Sequence, residues 1–180
     1  MAETFTFRGH EGIGAVFRNT LESCGYCYVD NVQDAQYVLT YCTSQTQLED
    51  VYLDSDGLIQ TSNPRTCLID FSPSTPNLAK ELNAIAAVND VLVIETPLVV
   101  KDPTLPLAFD KDNLACFVAD GDEGWECAQP ILEALIADIR PSGPTGSAQL
   151  AKGFDTLQAC AEMGGAVEAY AFGNACAKAL

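Results

Sequence analysis

Short apolar runs alternate with helical spacings along the chain, the pattern of strands and helices wound around a mostly parallel sheet. Residues 4–8, 67–70, 91–95 and 114–119 read as strands, and 26–29 and 36–42 are strand material as well. Helices are expected at 12–24, 45–52, 76–89 and 121–137, the third opened by Pro76, whose fixed φ and missing N–H suit a first turn. Asp54-Ser55-Asp56-Gly57 reads as a turn, the Pro-rich stretch 97–106 as a surface loop, and 138–140 as a short strand. From Ser147 to about residue 178 one long helical pattern follows, with Leu150, Phe154, Leu157, Ala161, Gly164, Val167 and Ala171 at three-to-four spacing. Glu168 falls on that stripe and interrupts it. No internal repeat or low-complexity segment breaks the alternation.

A chain of 180 residues with 48% hydrophobic content is long enough for one full core with an appended element. Its charge is strongly acidic, 25 Asp and Glu against 9 Lys and Arg, for a formal net charge of -16. No basic run is available to neutralise phosphates, so nucleic acid and anionic membrane surfaces are excluded as expected partners. The opening Met1-Ala2-Glu3-Thr4 carries no basic-then-apolar leader, and no apolar stretch approaches the roughly 18 residues of a membrane span, so a cytoplasmic protein is expected.

The eight cysteines are scattered, mostly inside apolar runs such as Thr66-Cys67-Leu68 and Ala115-Cys116-Phe117, where a free thiol acts as a small hydrophobe. Cys24-Gly25-Tyr26-Cys27 has CxxC spacing. With His10 the only histidine and no second CxxC, the pair does not complete a zinc shell, and no metal is expected. A redox cysteine is activated at a helix start, whereas this pair follows a helix and precedes a strand. A helix-ending Gly25 in a left-handed turn explains the segment better.

Candidate chemistry begins where the first strand meets the first helix. Gly9-His10-Glu11-Gly12-Ile13-Gly14 approaches the GxGxxG fingerprint of a dinucleotide site in the required strand-turn-helix context. Gly9 and Gly14 hold the outer positions, while Glu11 stands where the middle glycine lets backbone approach a pyrophosphate, adding bulk and negative charge. A glycine turn that only packs helix on strand fits the same residues.

Successive segments then resemble the ordered motifs of the β-hydroxyacid dehydrogenase family, which includes 3-hydroxyisobutyrate and 6-phosphogluconate dehydrogenases. Residues 9–21 are similar to its glycine loop and first helix, and Val38-Leu39-Thr40-Tyr41-Cys42, Val51-Tyr52 and Asp56-Gly57-Leu58 to the strand, helix and turn after its nicotinamide-side loop. Asp70-Phe71-Ser72-Pro73-Ser74-Thr75-Pro76 resembles its DxSTxxP substrate motif, with Pro73 replacing the threonine. Asp120-Gly121-Asp122-Glu123 with Pro130-Ile131-Leu132 matches the strand-to-helix corner that follows. Gly143-Pro144-Thr145-Gly146-Ser147-Ala148-Gln149-Leu150-Ala151-Lys152 is similar to the GxxGxGxxxKxxxN signature, whose lysine serves as acid or base toward the substrate hydroxyl.

The resemblance implies an α/β fold: a Rossmann-like, mostly parallel sheet with helices on both faces over residues 1–142, then a long C-terminal helix over 143–180. It implies NAD or NADP as cofactor around Gly9, Gly14, Tyr41, Cys42 and Thr43, Lys152 as the catalytic residue, and Ser72, Lys101 and Thr156 toward a small-molecule substrate. Lys152 on its own also reads as an exposed helix lysine. Thr156 stands for the family's asparagine, Ala148 for a glycine, and Leu98-Val99-Val100-Lys101 for its serine-glycine-glycine loop. Between Cys24 and Gln36 only one strand-like segment replaces a strand-helix-strand passage, so one βα unit is missing. Asp30 lies at about the distance after Gly9 of the acidic residue that reads an adenosine ribose. The family's all-helical second domain has no counterpart in the sequence, and an apolar helix without it is expected to pair with a second copy, as a homodimer. Two functions remain open: a hydroxyacid oxidoreductase, or a catalytically inactive binding or assembly protein on the same scaffold.

Overall fold

The computed structural model describes residues 2–105, 108–119 and 123–179. Five parallel strands, β1 (Thr4–Gly9), β2 (Cys27–Tyr28), β3 (Tyr37–Tyr41), β4 (Cys67–Asp70) and β5 (Leu92–Glu95), form one sheet in the order β2-β1-β3-β4-β5. A second sheet has the order β6-β7-β8, from β6 (Leu98–Val100), β7 (Leu114–Ala119) and β8 (Asp138–Gly143). Helices α1 (Glu11–Ser23), α2 (Gln45–Leu53), α3 (Leu58–Thr61), α4 (Pro76–Val88), α5 (Glu123–Leu135) and α6 (Ser147–Ala179) complete the chain.

Both faces of the larger sheet are buried, as an all-parallel sheet requires, and alternate residues of one strand serve opposite faces. Leu39 and Ile69 join Phe17 and Leu21 of α1 and Ile131 and Leu132 of α5 in one core. Val38 and Leu68 join Leu48 and Tyr52 of α2, Leu58 of α3 and Leu82 of α4 in the other. Helices therefore cover both faces, as the alternation of elements implied.

Only a 3-10 turn, Val32–Asp34, separates β2 from β3, so no helix follows β2. The sheet ends on this two-residue strand, a short edge offering few unpaired backbone groups. At the other end the expected 97–106 loop is corrected: β6 lies within it and pairs antiparallel with β7, through Leu98 opposite Cys116 and Val100 opposite Leu114. Its β-branched Val99 and Val100 outweigh the flanking prolines. The strand at 138–140 extends to Gly143, and α5 spans Glu123–Leu135; residues 120–122, with their corner motif, lie outside the described residues.

Gly25 adopts φ +95 and Tyr26 N–H donates to Leu21 O, so Cys24-Gly25-Tyr26 is the left-handed close of α1, with Cys24 and Cys27 both exposed. The first turns of α6 pack on α4, β7 and β8. Farther along, Phe154, Leu157, Val167 and Tyr170 are each more than 60% exposed. No described helix is long and apolar enough to cross a membrane.

Candidate active site

Strand order reverses at β1, whose neighbours are β2 and β3, and the carboxyl ends of β1, β3 and β4 bound a crevice at that switch point. Gly9 ends β1 at φ +113, a conformation that suits glycine. A Cβ there would lie 2.1 Å from Tyr41 O, and the adjacent His10 N–H donates to that carbonyl at 2.9 Å. Gly9 and Tyr41 are thus locked backbone to backbone. Gly14 admits the ring of Phe7, which would sit 2.5 Å from an added Cβ, so its smallness serves helix-on-strand packing.

The N-cap of α1 is His10, which makes no side-chain cap, leaving the first-turn N–H groups of a 13-residue helix directed at the crevice. That fits a pyrophosphate. Glu11, exposed in the same turn, adds a negative charge that opposes it. A cavity of about 480 Å³ flanks this corner, lined among others by Arg8, Asp30, Asp50 and Asp56. Arg8 Nη2 donates to Asp30 O at 2.8 Å, fixing the turn after β2 against the end of β1.

The next corner is built on Asp70, the last residue of β4 and almost completely buried. Its Oδ1 accepts from Ser72 N–H at 2.9 Å and Thr40 Oγ1 at 3.2 Å, and Thr40 in turn shares a 2.8 Å bond with Tyr52 OH. Burial pushes the Asp70 carboxyl up to about 6 against these hydrogen bonds. Ser72, expected to face substrate, is instead fully buried, its Oγ accepting Cys42 N–H at 2.8 Å and bonding to Asp70. It ties the loop after β3 to the loop after β4. The Cys42 thiol is buried and pushed up to about 11 by burial and by Asp70, so it is a packed hydrophobe beside the crevice. Thr43 stands exposed at the lip, its N–H donating to Gln47 Oε1 at 3.1 Å.

Helix α6 is docked onto this corner by two side chains whose roles the sequence did not show. Glu95, at the end of β5, accepts from Gly146 N–H and Ala148 N–H through Oε1, holding the helix start. Gln149 bridges with both ends of its amide: Nε2 donates to Ser72 O at 3.0 Å and Oε1 accepts from Ser74 N–H at 2.9 Å. Its position within the lysine signature was the only sequence sign of this.

One turn after Gln149, Lys152 is half-buried; burial lowers its ammonium pKa and the charge of Asp70 partly restores it. The structure thus brings Lys152 to the Asp70-Ser72 corner. Thr156, expected to hold substrate, is exposed and turns its hydroxyl back to Lys152 O at 2.9 Å. Lys101, also expected at the substrate, lies beyond the amino end of β7, where its Nζ donates to Asp112 O at 2.9 Å. β6 runs antiparallel to β7, so the chain leaves it at the amino end of β7. Among the described residues no cluster of His, Cys, Asp and Glu is arranged to hold a metal ion.

A parallel sheet with a glycine corner at its switch point, followed by a long docked helix, defines a Rossmann-like α/β protein. The family model of the NAD binding domain of 6-phosphogluconate dehydrogenase matches residues 19–143, well over half of the chain, and the chain belongs to this family. It is 31% identical over 147 residues to the NAD-dependent L-serine dehydrogenase of Pseudomonas aeruginosa, covering 81% of this chain and 48% of that protein. With the 3-hydroxyisobutyrate dehydrogenase of the same organism it shares 26% over 142 residues, covering 78% and 46%. The chain spans about half the length of the curated relatives it matches. Among solved structures, 3-hydroxyisobutyrate dehydrogenase of Mycobacterium tuberculosis with L-serine superposes at TM-score 0.70 and 24% identity, covering 84% of this chain and 58% of that one. An imine reductase variant of Myxococcus stipitatus in complex with NAD+ gives 0.72 at 16% identity, covering 93% and 64%.

Proposed function

We propose that the chain forms the cofactor-binding part of an NAD(P)-dependent oxidoreductase acting on a small hydroxy acid, with Lys152 as its proton relay. The observation that carries this reading is the placement of Lys152, desolvated one turn after the Gln149 bridge that docks α6 on the Ser72 loop, within the field of the Asp70 charge. The first turn of α1 and the Gly9-Tyr41 junction would hold the dinucleotide, with Cys42 and Thr43 bounding the nicotinamide side. The bound nicotinamide supplies hydride transfer.

The chain's own residues supply the proton chemistry. A lysine whose pKa is lowered by burial gives up and regains a proton nearer to neutral pH than a solvated one. The charge of Asp70 opposes that lowering, and its bonds to Ser72 and Thr40 fix where that charge stands. The test is turnover of small hydroxy acids with NAD+ and NADP+: Lys152→Ala removes turnover and leaves cofactor affinity in place. Turnover unchanged in Lys152→Ala contradicts the assignment.

A second reading, an inactive binding or assembly protein, is favoured by Glu11 at the phosphate turn and by the exposed apolar residues of α6. On that reading Leu150, Phe154 and Leu157 form a seam for a second copy of the chain, and light scattering gives a dimer mass at micromolar concentration. A monomer removes the seam.

A further inference from the structure

At the amino ends of the strands, away from the crevice, a cavity of about 370 Å³ is lined by Tyr37, Asn63, Arg65, Thr66 and Cys127, among others. Cys67, next to Thr66 and first in β4, has no exposed surface, whereas Cys127 of α5 is half-buried and opens on the cavity. Helix α5 packs on β4, and Cys127 lies against the core cluster that contains Cys67, so the two thiols interact across the helix-sheet interface.

We propose that Cys127 and Cys67 form a reversible dithiol oxidised by peroxide, Cys127 reacting from the cavity and Cys67 closing a disulfide that ties α5 to β4. A small oxidant reaches Cys127 and not Cys67, which fixes the order of events. The neighbouring Cys67 thiol and the positive Arg65 favour the Cys127 thiolate, while burial and Glu3 oppose it and Tyr37 lies beside it. The balance lies toward thiolate, below the ordinary thiol range.

The Cys127 thiolate attacks one peroxide oxygen, the O–O bond breaks, and hydroxide leaves, giving a sulfenic acid. The Cys67 sulfur then attacks the Cys127 sulfur, the S–O bond breaks, and the Cys67 proton leaves with the oxygen as water. Two thiols are oxidised by two electrons in all, and one peroxide is reduced to two waters.

The reduced full chain is treated with hydrogen peroxide, alkylated with iodoacetamide and mapped by peptide mass spectrometry. The expected product joins Cys67 to Cys127 with loss of two hydrogens, about 2 Da, and returns to two alkylated thiols after dithiothreitol. In Cys67→Ser, dimedone labels Cys127 as the trapped sulfenic acid. Where that variant does not fold, the native reduced protein decides: iodoacetamide at neutral pH modifies Cys127 roughly threefold or more faster than exposed Cys160. A Cys24–Cys27 disulfide formed while Cys127 stays reduced, or Cys127 alkylated more slowly than Cys160, overturns the proposal.

Discussion

Asp70 and Glu95 are register partners on the adjacent parallel strands β4 and β5, and both carboxyl groups are buried at the carboxyl end of the sheet. Thr40 is the partner of Asp70 on the other side, so one row of polar residues crosses three strands immediately below the crevice. Each carboxylate organises a different part of the site: Asp70 the loop carrying Ser72, Glu95 the start of the lysine helix. Their proximity also raises the cost of charging both, because the charge of Glu95 adds to the burial that lifts Asp70.

This row makes stability depend on pH. The folded Asp70 carboxyl binds its proton more tightly than in the unfolded chain, at about 6 against 3.8, and Glu95 shifts in the same direction. Its contribution is therefore fully present below about pH 4 and is lost as pH rises through about 6. Asp70→Asn keeps an acceptor for Ser72 N–H and Thr40 without the titration. The variant's stability relative to the native chain is expected to rise by up to about 3 kcal/mol between pH 4 and 7. Urea unfolding across that range measures it; a pH-independent difference contradicts the assignment.

Gln149→Ala removes both bonds between α6 and the loop of Ser72 and Ser74. One buried carbonyl and one N–H lose their partners, a loss of about 1–3 kcal/mol. In urea unfolding this appears as a lower midpoint, and hydrogen exchange at Ser74 N–H rises because its acceptor is gone. Unchanged exchange at Ser74 would show that the bridge does not hold the loop.

Gly9→Ala forces a Cβ against Tyr41 O in a backbone conformation that side chains rarely adopt. A backbone carbonyl cannot swing aside, so the substitution is expected to cost about 2–4 kcal/mol. Gly14→Ala meets first the Phe7 ring, a side chain that can turn, and is expected to cost less. Thermal unfolding of the two variants checks the ranking; equal losses contradict it.

Alternating apolar runs were enough to place the parallel strands, because strands buried on both faces read as short hydrophobic runs. The strand β6 was hidden by the prolines around it, and its pairing with β7 is a long-range contact that no local spacing reports. The glycine turn at Gly9 and the helix carrying Lys152 were legible because glycine conformation and helical spacing are written locally. The roles of Gln149 and Glu95 were not, since each acts across more than 50 residues of chain. The internal bonds of Ser72 and Lys101 were not legible either: motif position carries no information on which way a side chain turns or what it meets there.

Glu11 stands where bulk and charge oppose a phosphate, so Glu11→Gly is expected to tighten binding of NADH or NADPH by roughly tenfold, about 1.4 kcal/mol. Fluorescence titration of the two forms measures it. An unchanged affinity would place the phosphates away from the first turn of α1.

The most direct measurement is a calorimetric titration of the chain with NADH and with NADPH. Saturable heat for at least one of them, at one site per chain, is the predicted result. No heat up to millimolar concentration contradicts a dinucleotide crevice at the ends of β1, β3 and β4.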